Sequence, residues 1–172
     1  MAATLYLHAD PMHRCFPPVT RPDIRLLVLG SLPGAISLRE QRYYAHPQNL
    51  FWRLMSAVTG RDLVPLAYAD RLEALLDAKI GLWDTVAAAT REGSLDAAIR
   101  LHAASDLAAL VATLPDLRAI GFNGATSARI GRRQLGPAPD LALIDLPSSS
   151  PAYASLGFER KREAWLKLAA YL

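Results

Sequence analysis

The 172 residues include one cysteine, Cys15, so no intramolecular disulfide can form, and neither a cysteine-ligated iron–sulfur cluster nor a cysteine-based zinc site can be assembled. Lysine is nearly as scarce: Lys79, Lys161 and Lys167 stand against 16 arginines. No apolar run reaches the 18 residues expected of a membrane-crossing helix, and the opening MAATLYLHADPMHRC lacks the charged-then-apolar order of a secretory leader. The expectation is a cytoplasmic protein with no membrane association, no metal and no cofactor. Three motifs are missing as well: G-x-G-x-x-G, which would bind a dinucleotide, G-K-[ST], which would close a P-loop, and the G-x-S-x-G of a nucleophile elbow. With no internal repeat, low-complexity tract or linker-like stretch, residues 1–172 read as a single domain.

What the chain does have is apolar mass. At 52% hydrophobic and 20% charged residues, a chain of this length buries enough surface for one α/β core without covalent staples. The net charge is +3 and the pI near 9.2, carried by arginine, whose planar fork suits phosphate. Arginine bias also follows from GC-rich coding DNA. The charge therefore permits a nucleic-acid partner without requiring one.

Three apolar runs stop at turn formers: residues 24–29 before GSLPG, 117–122 before NGA, and 141–146 before PSSSP. A weaker fourth, 79–83, stops at Asp84. Such runs read as buried parallel strands. Helical patterns lie between them at 48–58, 66–77, 106–114 and 126–134, and a closing helix follows from Phe158, with Trp165, Leu166, Ala169 and Leu172 inward. Its basic cluster, Arg160, Lys161, Arg162 and Lys167, reads as a solvated face. The alternation predicts a three-layer α/β/α sandwich around a central, mainly parallel four-stranded sheet.

Ligands of such sheets sit outside the carboxyl ends of the strands, and three loops there are unusual. GSLPG, 30–34, offers glycines for close backbone approach and successive N–H donors. YYAHPQNLFW, 43–52, sets a carboxamide, Asn49, in the opening turn of a helix beside Tyr43 and Tyr44. There Asn49 either satisfies local backbone groups or stands at a pocket mouth. PSSSPAYAS, 147–155, presents hydroxyls and N–H groups on a short stiff loop suited to phosphate.

In this order and spacing the three segments resemble the uracil-DNA glycosylase superfamily, most closely its hypoxanthine (deoxyinosine) branch, over about residues 16–158, including GLWDTV and REGSLD. The resemblance implies a monomeric, monofunctional glycosylase that removes deaminated bases from DNA. It maps the catalytic asparagine onto Asn49, because Leu32 occupies the place where mismatch-type relatives carry theirs. The base would lie against Tyr44, with Gly30, Ser31, Leu32 and Asn123 around it. DNA would be held by His46, Ser148, Ser149, Ser150, Pro151, Ala152 and Tyr153. Tyr153 replaces the asparagine usual in that branch, and His46 does not match the histidine of the main uracil glycosylases.

On this reading Asn49 orients water toward C1′, and the scarcity of lysine near the loops argues for hydrolysis without strand cleavage. Asp84 and Asp96 are weaker candidates, Asp96 reading as a first-turn acid after an N-cap at Ser94. Two rivals remain: a non-catalytic nucleic-acid- or nucleotide-binding module, and a hydrolase using Ser149 or Ser150 with His46 and Asp84 or Asp145.

Overall fold

The computed structural model describes residues 12–91, 96, 99–138 and 140–172. In chain order the elements are β1 (Met12–Arg14), β2 (Leu26–Gly30), α1 (Ala35–Glu40), α2 (Phe51–Thr59), α3 (Tyr68–Asp77), β3 (Ile80–Asp84), β4 (Val86–Thr90), β5 (Arg100–Ala104), α4 (Leu107–Ala112), β6 (Ala119–Asn123), α5 (Ala125–Leu135), β7 (Ala142–Leu146) and α6 (Phe158–Leu166). A 3₁₀ turn, Lys167–Tyr171, follows.

The central sheet has the order β3-β2-β6-β7, and every pairing in it is parallel. Side chains of a strand alternate between faces, and β2 divides its residues accordingly. Leu26 and Val28 join Phe51, Leu54 and Met55 of α2 and Trp165 of α6 in one core. Leu27 and Leu29 join Leu107, Ile120, Phe122 and Ala128 beneath α4 and α5 in the other. Both faces are covered, which gives the three layers expected of an apolar parallel sheet.

The four strands anticipated from sequence are present. A second, three-stranded antiparallel sheet, β1-β4-β5, was not anticipated. It grows from the end of β3: one residue, Thr85, separates β3 from β4, and the N–H groups of Thr85 and Val86 donate to the carbonyls of Gly30 and Ser31. The alanine-rich VAAAT of β4 has no polar alternation to announce a strand, and of its two partners β1 is remote in sequence. The lead-in rich in proline also pairs with the main sheet, through a Val19–Leu82 bridge.

The closing helix corrects two expectations. Lys161 is not on a solvated face: it is 1% exposed, and its ammonium donates to the carbonyl of Tyr153 while standing 5.1 Å from that ring's centre. Burial lowers its pKa. Tightening to 3₁₀ geometry after Leu166 changes the residues per turn, so Leu168 is buried where Ala169 was expected, and Ala169 is exposed. Helix α2 starts at Phe51, three residues later than the sequence pattern suggested, because residues 46–48 form a turn.

Candidate active site

The carboxyl ends of β2, β3 and β6 open onto a cavity of about 330 Å³, within the range of small-ligand sites. Of the residues singled out from sequence, Gly30, Ser31, Leu32, Tyr44, His46, Asn49, Asn123, Ser148, Ser149, Ser150, Pro151 and Ala152 line it. Tyr153 does not. It is 44% exposed and borders a neighbouring depression.

The glycine turn is held from beneath. Ser127 Oγ donates to the carbonyls of Leu29 and Gly30, and the buried guanidinium of Arg91 donates to those of Leu32 and Pro33. Leu32 packs with Val86, Ala89 and Ile130 in a small apolar cluster, which suits a position without chemistry of its own. The first glycine is required for space. A Cβ at Gly30 would stand 2.6 Å from Asp84 Oδ1 and 3.2 Å from the Tyr44 hydroxyl. Gly30→Ala is therefore expected to destabilise the fold by about 1–3 kcal/mol through overpacking, seen as a lower Tm; an unchanged Tm would refute this packing account.

Tyr44 has a left-handed backbone, φ 53°, that turns its ring onto Phe51. The two rings stack at 3.7 Å between centroids and 11° between planes. Its hydroxyl accepts from Asn123 Nδ2 at 3.3 Å, and burial raises its pKa, with Asp84 nearby adding to the effect. Tyr43 is buried, donating its hydroxyl to the carbonyl of Pro17. Half-buried Asn49 accepts at Oδ1 from the N–H of Phe51, 3.0 Å away, and its own N–H donates to the His46 carbonyl. Both readings of Asn49 thus meet in one geometry. The bond that satisfies the helix start also fixes the carboxamide at the cavity wall.

The serine loop is tied to the sheet at Asn123. Ser149 is fully buried: its N–H donates to Asn123 Oδ1 at 2.9 Å, its hydroxyl accepts from Asn123 Nδ2 at 2.9 Å, and its carbonyl accepts from the N–H of Leu50. Trp165 Nε1 donates to the carbonyl of Pro147. Asn123 is thus the clamp between loop and sheet, and Ser148 and Ser150 are left nearer the surface. The serine hydrolase arrangement is not assembled. Ser149 is committed to Asn123, His46 Nδ1 accepts from the Gln48 N–H, and Asp145 pairs with Arg132 at 2.9 Å away from this cavity.

Two acids passed over as weak in the sequence also line the cavity, Asp84 and Asp96. Asp84, the last residue of β3, is 3% exposed, and its Oδ2 finds no partner among the described residues. Burial, reinforced by the negative charge of Asp96 and opposed by Arg91, pushes its pKa up to about 7. Asp96 accepts from Ser31 Oγ at 2.6 Å and lies 3.9 Å from Arg91. Its pKa is raised by burial against both those contacts. Ser94, read as a helix cap, lies outside the described residues. Only the raised strand-end position of Asp84 hinted at its place; nothing in the sequence joins it to Asp96, Arg91 and Ser31. Among the described residues no cluster of His, Cys, Asp or Glu is gathered as a metal site, and no helix is long and apolar enough to cross a membrane.

Comparison with known proteins identifies the family. The family model described as the uracil DNA glycosylase superfamily matches residues 17–170. A hypoxanthine DNA glycosylase of Methanosarcina acetivorans is 38% identical over 151 residues, covering 88% of this chain and 93% of that protein. One from Methanosarcina barkeri is 45% identical over 112 residues, 65% of this chain and 71% of that protein. A solution NMR structure from Methanosarcina acetivorans, described as a candidate uracil DNA glycosylase, superposes with a TM-score of 0.81 at 36% identity, covering 92% of this chain and 97% of that one. A parallel sheet whose strand ends gather GSLPG, Asn49 and the serine loop around one cavity, matched by that family over nearly its whole length, makes this chain a member of the uracil-DNA glycosylase superfamily.

Proposed function

We infer that this protein is a DNA glycosylase that hydrolyses the bond between sugar and a deaminated base, hypoxanthine or uracil, and so begins base excision repair. The observation that carries the reading is Asn49, a carboxamide fixed by a backbone bond at the wall of a cavity that the glycine turn and serine loop complete. The two hypoxanthine DNA glycosylases among its relatives support the choice of substrate class.

A base inside the duplex is out of reach, so the nucleotide must be extruded, at roughly a few kcal/mol and less where pairing is already poor. The hydroxyls of Ser148 and Ser150, with His46 and Pro151, hold the backbone beside it, and exposed Ala152, with Tyr153 next to it, takes its place in the stack. Phe51 occupies one face of Tyr44; the base lies against the other, worth about 1–3 kcal/mol. Ser31 and Leu32 present the N–H donors of the turn to a base carbonyl, and Asn123 keeps the serine loop and Tyr44 in register.

As the glycosidic bond lengthens, the sugar becomes oxocarbenium-like and needs a placed water more than a strong base. Asn49 Oδ1 retains a lone pair for that water after accepting from Phe51. Hydrolysis without strand cleavage follows if no amine reaches C1′: Lys161 touches the serine loop, but its ammonium is buried on the Tyr153 carbonyl.

Oligonucleotides carrying uracil, hypoxanthine, xanthine or a G·T mismatch test the reading. Release of free base from the deaminated substrates is expected, with strands cut only after alkali. Binding without release would make the protein a recognition module, and cutting before alkali would give it a lyase step.

A further inference from the structure

Asp84 is a buried carboxyl that the mechanism above leaves unused, yet it is among the residues that line the cavity, at the end of β3, and its buried Oδ2 has no partner among the described residues. A buried acceptor left unpaired is unfavourable, and a ligand entering the cavity is the natural partner. We propose that Asp84 acts as a neutral carboxylic acid that binds the lactam edge of the extruded base and stabilises the anion that base becomes. The proposal rests on the glycosylase reading.

The chemistry of the leaving base selects the protonated form. Deamination leaves a ring N–H beside a carbonyl, as in hypoxanthine and uracil. A carboxylic acid presents the complement on one carbon, a carbonyl that accepts from the ring N–H and a hydroxyl that donates to the base oxygen. When the glycosidic bond breaks, its electron pair stays with the base, and negative charge grows on that oxygen. A hydroxyl donor is then strengthened, whereas a carboxylate would set like charge against it in a dry site. Asp84 keeps its proton throughout. Water oxygen bonds to C1′, the proton it sheds leaves for solvent, and the base anion is protonated after release.

The surroundings keep that proton in place near neutrality. Burial has the largest effect, the negative charge of Asp96 acts in the same direction, and Arg91 opposes them. Tyr44 and Tyr43 face it from the turn before α2 and Cys15 from the lead-in, and all three are driven toward their neutral forms by burial and by the Asp84 charge. Gly30, having no side chain, lets the carboxyl sit against β2.

The test is the single-turnover rate of base release from inosine-containing DNA, with enzyme in excess, across neutral and alkaline pH. For wild type the rate is expected to be level below about pH 7 and to fall about tenfold per unit above it, as the acid ionises. Asp96→Asn should move the fall to lower pH, since a charge that adds to burial in holding the proton is gone. His46→Gln, which removes the cavity's histidine, should keep the fall. Asp84→Leu should be slower by at least about 100-fold, and Asp84→Asn, whose amide offers the same acceptor and donor without titrating, should recover to within about tenfold and show no fall. A level wild-type profile through alkaline pH overturns the proposal, as does a fall that survives in Asp84→Asn. Should either Asp84 variant fail to fold, the wild-type profile and the Asp96→Asn shift decide the matter. No release from wild type at any pH would instead sink the glycosylase reading itself.

Discussion

Asn49→Ala is expected to slow base release by about three orders of magnitude, the scale of one well-placed polar group acting on the reacting water. The effect should fall on the chemical step. Affinity for inosine-containing DNA should change little, because the backbone grip is assigned to Ser148 and Ser150 and the stacking to Tyr44. The same substitution removes the acceptor for the Phe51 N–H, and losing a bond of this kind at a helix start lowers stability by about 1 kcal/mol. The Tm must therefore be measured beside the rate. Asn49→Asp separates the two roles: its carboxylate keeps the helix-start acceptor and an oxygen for water, so it should retain wild-type stability and lie above Asn49→Ala in rate. An Asn49→Ala rate within tenfold of wild type would take the water-positioning role away from this residue.

Much of this arrangement was legible in the sequence because it depends on local rules. Runs such as RLLVLG and RAIGFN end in residues that break strands, so the parallel sheet and the side on which its loops gather follow from period and punctuation. Asn49 could be placed because Pro47 and the apolar Phe51, Trp52 and Met55 mark a helix start. What escaped is what only tertiary contact creates. The strand β4 has no alternation of its own and exists through pairing with β1 and β5. The six-residue α1 carries no side-chain cap to announce it. Lys161 looked like any basic residue of a solvated helix until the serine loop folded over it. Asp84 read as the polar residue that ends a strand, and its altered acidity comes from burial and from Asp96, while the space its carboxyl occupies depends on Gly30, none of which its neighbours in sequence reveal. Asn123 was placed at the base, and the three bonds it makes to Ser149 and Tyr44 add a structural duty to that position.

Replacing Asp84 by asparagine is expected to stabilise the protein at alkaline pH. In the unfolded chain this carboxyl ionises near its ordinary value of 3.8, whereas in the fold its pKa is raised to about 7. Between those two values the native state holds a proton that the unfolded state has lost, so the unfolded state is favoured progressively as pH rises. The loss begins near pH 4 and is complete above about pH 7. At about 1.4 kcal/mol for each unit of difference, it amounts to as much as roughly 4 kcal/mol, and Arg91 and Asp96 share in it because the three groups titrate together. Asparagine occupies the same space without titrating. The two proteins should thus unfold at similar denaturant concentrations near pH 4, and Asp84→Asn should be the more stable one at pH 8, by an amount a urea titration at each pH resolves. Equal stabilities at alkaline pH would mean that the carboxyl reaches solvent or a counter-charge when it ionises. A protein that tolerates such a burden at neutral pH keeps a poorly ionised acid at the end of β3, and a cavity built around a leaving anion is where that acid has a use.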